Sequence, residues 1–223
     1  CRGTLAIIDP DAIYFERTWC CFEQSVSLTV TEEKRAPEVV ALGKYTFDAF
    51  TALKHTSHKN LGGGVRHAVG LVDGIAPADK LMYRDEDGAA VKALREGPFP
   101  ASAVDAGTRA RVQDGKASVE ADRRHILNAI VGGGRGLNEE PLAEAPEYVE
   151  INAKLNGRMA ADGLQPAIVA GGATRARALE TLAASSVKRL GTVLGGCAEA
   201  TAEVMARVGA ALRTLPRLRE LDL

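Results

Sequence analysis

Leu5-Ala6-Ile7-Ile8-Asp9-Pro10-Asp11, leading directly into Tyr14-Phe15-Glu16-Arg17-Thr18-Trp19-Cys20-Cys21-Phe22-Glu23, decides how this chain is read. Four consecutive apolar residues closed by an aspartate predict a strand buried on both faces, because a half-exposed strand would alternate apolar with polar positions. Pro10 keeps Asp9 out of the αR region and has no amide to give to a ladder, so the chain turns there. A helix over Arg17 to Thr29 follows. A buried strand leading into a helix opens an α/β layer with a parallel sheet.

Further along, Tyr45 to Phe50 alternates aromatic with small or polar residues, the period of a second strand. Val69-Gly70-Leu71-Val72 reads as a third, ended by Asp73-Gly74, and Ala89 to Glu96 as a short helix stopped by Gly97-Pro98. Thr31 to Pro37 and Lys54 to Val65 are read as connecting loops. Gly62-Gly63-Gly64 lacks the downstream Gly-Lys-Ser/Thr of a phosphate-binding loop and is read as a connection. Asp9 and Asp73, at strand ends, fall along the edge where parallel α/β sheets bind ligands, although the simpler reading of each is a turn cap.

Beyond residue 115 the pattern becomes helical. Ser118 is placed as the N-cap of a helix that carries Val119, Ile126, Leu127 and Ile130 on one face, with Glu120, Asp122, Arg123 and Arg124 mostly opposite. Glycines 132 to 134 end it. Glu147 to Ala161 repeats the pattern with Tyr148, Ile151, Leu155 and Met159 at spacings of three and four, and the acidic, proline-bearing stretch Asn138 to Pro146 forms a seam between the two. Near the C-terminus Val187, Leu190 and Val193 recur as Leu215, Leu218 and Leu221 after 28 residues, with Val204, Val208 and Leu212 on a helix between them. That spacing fits a strand-plus-helix repeat, and Leu215 to Leu223 follows Leu-x-x-Leu-x-x-Leu-x-Leu.

The run from the apolar strand through Arg17-Thr18-Trp19-Cys20-Cys21-Phe22-Glu23 resembles the third strand and following helix of Toll/interleukin-receptor-like (TIR) domains, where a strand leads to a Ser-x-Trp-Cys-x-x-Glu box. Tyr45-Thr46-Phe47-Asp48-Ala49-Phe50, Asp114-Gly115-Lys116-Ala117-Ser118 and Asp122-Arg123-Arg124-His125-Ile126-Leu127-Asn128 are similar to uncharacterised algal proteins that join such a domain to leucine-rich repeats. The resemblance implies a flavodoxin-like fold and, for Glu23, the family's role as the catalytic carboxylate in NAD cleavage. Thr18 stands where the family often has a serine-like neighbour to the tryptophan, and the strands and helices expected before Leu5 are absent from the sequence.

The chain has 223 residues, a net charge of −1 and 46% hydrophobic residues, enough for a substantial core. Lys and Arg are scattered, which gives no footprint for nucleic acid or an anionic membrane, and no run approaches a membrane span. The first residue is Cys1 and the last, Leu223, lies within an apolar pattern, so the sequence is expected to lie inside a longer polypeptide. Four cysteines, two of them adjacent, make neither a disulfide framework nor a zinc knuckle and fit a reducing compartment such as the cytoplasm.

Among candidate chemical groups, Glu23 is set against an ordinary surface glutamate in a first helical turn. Trp19 and Phe22 share a helix face, which is more often core than a base-stacking platform. Cys20 and Cys21 point apart and are read as structural; Cys21, near a helix start, is the one whose pKa the dipole could lower. His55 and His58, with His67 beyond, lack a carboxylate or cysteine at ligand spacing, and Asp85-Glu86-Asp87-Gly88 lacks a calcium loop's ligands, so no metal is expected.

Together these readings give an α/β chain: a partial flavodoxin-like parallel sheet with flanking helices over 1–137, a helical linker region over 138–185, and a leucine-rich-repeat-like strand-helix start over 186–223. The expected function is a soluble protein-interaction or scaffold module, or an accessory subunit of a larger assembly, with other proteins as partners and no cofactor. The alternative is a TIR-like hydrolase with NAD as substrate, Glu23 as its catalytic carboxylate and Trp19 and Asp9 beside the bound nucleotide.

Overall fold

Gly3–Ile8 forms β1, and Thr46–Thr51 forms β2 parallel to it, with Ile7 in register with Phe50. Two parallel neighbours cannot be joined by a tight turn. Part of the crossover between them is α1, Thr18–Glu33, which lies against both strands. Val69–Val72, β3, pairs antiparallel with β2 and gives the order β1-β2-β3. The computed structural model describes residues 3–8, 11–33, 46–51, 69–72, 99–185, 189–190, 209, 213 and 220–221. Asp9, Asp73, the connection Lys54 to Val65 with His55 and His58, His67, Asp85 to Gly88, the helix over Ala89 to Glu96, and the repeat positions Val187, Val193, Val204, Val208, Leu212, Leu215 and Leu218 lie outside the described residues.

The flavodoxin-like parallel sheet expected from the sequence is not what forms. The described residues are mostly helical, and the three short strands make a mixed sheet in which β3 runs against β2. In β1, Ile7 is 68% exposed between Ala6 at 4% and Ile8 at 1%. A strand of a doubly wound sheet is covered by helices on both faces. Here the apolar run is buried on one face only, because a run of apolar residues satisfies either arrangement. The segment Thr31 to Glu33, read as loop, continues α1. At the C-terminal end the described residues hold a two-residue parallel pair, β4 (Arg189–Leu190) and β5 (Glu220–Leu221), and most of the expected leucine-rich-repeat-like start over 186–223 lies outside the described residues. Leu190 lies opposite Leu221, whereas the 28-residue echo would set it opposite Leu218.

Residues 99–185 carry α2 (Ala101–Gly107), α3 (Glu120–Val131), α4 (Pro146–Asp162), α5 (Leu164–Ala170) and α6 (Gly172–Ala184). Pro146 starts α4 where its missing amide costs nothing. Tyr148, Leu155 and Met159 then fall on one face and are fully buried, each worth about 1.5–3 kcal/mol of burial. They share one core with Phe99, Val104 and Leu127, with Leu164, Ile168 and Leu182, and with Phe15, Cys21 and Leu28 from the N-terminal part. Tyr148 also donates its hydroxyl to the Leu127 carbonyl at 3.3 Å, which satisfies a buried polar group while tying α4 to α3. Gly132 ends α3 with φ of +63°, a conformation that costs glycine least.

Residues distant in sequence meet at the start of α1. The Lys116 amide donates to Glu16 O at 2.7 Å and the Thr18 amide to Lys116 O at 3.1 Å, a two-bond parallel bridge centred on Arg17 and Lys116. Arg17 Nη2 reaches Ser118 Oγ at 2.7 Å. Ser118 is therefore not the N-cap of α3; that position is Val119, which offers no side-chain bond. Arg123 holds the other side of the loop, donating to Gly115 O at 2.9 Å and Gln113 O at 2.6 Å. Asn152 of α4 accepts from the Val112 amide at 2.9 Å and donates to Gln113 Oε1 at 3.0 Å.

Gly115 is the tight point of this junction. A Cβ there would lie 2.7 Å from the Thr18 amide nitrogen and 2.9 Å from its Cα, backbone that cannot rotate away. Its φ of −66° suits any residue, so the constraint is contact alone. Gly115→Ala is expected to lower unfolding free energy by about 1–3 kcal/mol in urea denaturation, whereas Ala129→Ser, on the exposed side of α3, shifts it by less than about 0.5 kcal/mol. Equal stability of the two variants would contradict the packing described.

Candidate functional site

The junction with residues 115–118 fixes where α1 begins and so how it is turned. Thr18, Cys21, Gln24, Ser25 and Leu28 face inward and are buried. Trp19, Glu23 and Val26, at spacings of four and three, face outward. Trp19 is 46% and Val26 47% exposed. Phe22, half-buried, meets the Trp19 ring edge to face with centroids 6.3 Å apart. The usual amphipathic order is inverted over this stretch, since three large apolar side chains lie toward the outside and four of the five inward positions carry hydroxyl, thiol or amide groups.

The inner face is not fully satisfied. Thr18 Oγ1 and both polar atoms of Gln24 are buried without a hydrogen-bond partner. A buried polar group left unpaired costs about 1–3 kcal/mol. Ser25 avoids this by donating to the Phe22 carbonyl at 2.6 Å.

Of the residues singled out in the sequence, Trp19 and Glu23 are brought one helical turn apart on the same exposed face. Asp9, the third, lies outside the described residues. Trp19, which the sequence places in the core or, in the NAD alternative, beside the nucleotide, lies half in solvent, because Thr18 and Cys21 take the inward positions. The sequence marks neither Gly115 and Thr18 as a packing contact nor Gln24 as a buried residue. A glycine after an aspartate reads as a turn, and nothing in the spacing of Thr18 and Gln24 distinguishes a buried polar residue from a solvated one.

The two cysteines differ. Cys21 is fully buried, its Sγ donating to the Phe15 carbonyl at 3.5 Å, and burial pushes its thiol up to about 12, with Cys20 adding to the rise. The helix start does not lower it, because loss of solvation outweighs the dipole. Cys20 is half-buried, and burial together with the Glu23 carboxylate raises its pKa as well. Tyr14 donates its hydroxyl to the Cys20 carbonyl at 3.3 Å, and burial holds the phenol in its protonated form. Neither thiol is poised as a nucleophile. Among the described residues no three histidine, cysteine, aspartate or glutamate side chains come together as a metal site. Among them, too, no helix is long and apolar enough to cross a membrane.

Comparison of the chain with protein-family models, with curated proteins and with solved structures returns no match.

In a chain with Cys1 and Cys197 replaced by serine, iodoacetamide at about pH 8 is expected to modify Cys20 slowly and Cys21 only after unfolding. Folded Cys21 keeps its proton where the unfolded thiol sheds it. Its contribution to stability is therefore whole below the ordinary thiol pKa of about 8.5 and fades as pH rises toward about 12. Cys21→Ala, lacking that proton, flattens the alkaline fall in a urea-denaturation series. Rapid labelling of folded Cys21 would contradict its burial.

Proposed function

We propose that this chain is a protein-interaction module, acting as a scaffold or accessory subunit, and that the outer face of α1 is its contacting surface. The observation that carries the reading is the inverted face, with Trp19 and Val26 turned outward and Phe22 half-buried beside Trp19, while Thr18 and Gln24 are buried. Tryptophan and phenylalanine are enriched at the centres of protein interfaces, where an aromatic side chain loses little conformational freedom and removes much apolar surface from water. Cys20 and Cys21 are free thiols, in keeping with a reducing compartment for the module and its partner.

A photo-crosslinking residue placed at Val26 tests this against one at Ala153, an exposed position on α4. In cells that make the parent protein, position 26 is expected to yield discrete crosslinked species that Trp19→Ser diminishes at least about tenfold, as for loss of an aromatic anchor. Position 153 is expected to yield none. The same background of products at both positions would overturn the reading.

A second reading, NAD cleavage with Glu23 as the carboxylate that stabilises the cationic transition state, draws on the exposed Glu23 carboxylate one turn from an exposed aromatic ring. Nicotinamide release by the full-length parent, lost in Glu23→Gln with the fold intact, would support it. Equal turnover by parent and variant, or none by either, removes Glu23 from that role.

A further inference from the structure

We draw no further inference here: the strongest candidate, the Arg17–Ser118 pair beside the uncapped N-terminus of α3, rests on a helix N-terminus with no second observation that points to a ligand.

Discussion

Two backbone hydrogen bonds across the Arg17–Lys116 bridge, closed over a glycine with no room for a side chain, hold the start of α1 against the loop that precedes α3. They join segments about a hundred residues apart in the chain, so the contact carries the full entropic cost of closing a long loop. That cost is met by what the bridge makes possible. With the loop in place, Arg123 satisfies two of its carbonyls, and Asn152 links it to α4. Phe15, Cys21 and Leu28 then join the core that Tyr148, Leu155 and Met159 build.

The same bridge sets the rotation of α1, and the rotation decides which residues meet solvent. Thr18 must lie inward because its amide belongs to the bridge and its Cα lies against Gly115. Once Thr18 is inward, the helical period carries Cys21, Gln24 or Ser25, and Leu28 inward after it. Trp19 and Val26 are thereby left outside. Turning the helix the other way would bury the apolar residues but break both backbone bonds and drive Thr18 away from Gly115. Taken alone, the arrangement is costly, combining buried amide and hydroxyl groups without partners with apolar surface left in water. A second protein laid over Trp19, Phe22 and Val26 would recover the exposed apolar area, which gives the interaction reading its physical basis.

What could be read from the sequence divides along the same lines. Tyr148, Leu155 and Met159 announced α4 through spacing alone, because a helix packed on one face must repeat its apolar residues at that interval, and Gly132 marked the end of α3 through its backbone freedom. The sheet was misread because Leu5 to Ile8 is apolar throughout. Such a run does not reveal that Ile7 faces solvent or that β3 runs antiparallel. Trp19 and Glu23 were recognised as a pair, but their exposure depends on a contact between Thr18 and Gly115 that leaves no periodic trace. At the C-terminal end, leucines every three residues offer several equivalent alignments, and the pairing of Leu190 with Leu221 selects one.

Trp19 is the only tryptophan in the chain, so its fluorescence reports on the outer face of α1 without labelling. Acrylamide quenching of the isolated chain, set beside the same measurement on the parent protein purified with its partners and carrying no other tryptophan signal after subtraction, tests the central claim most directly. The account predicts solvent-like emission and ready quenching in the isolated chain, with a blue shift and loss of quenching in the assembly. Blue, unquenched emission from the isolated chain would show Trp19 in its own core and contradict the inverted face; emission that stays exposed in the assembly would contradict its role as the interface.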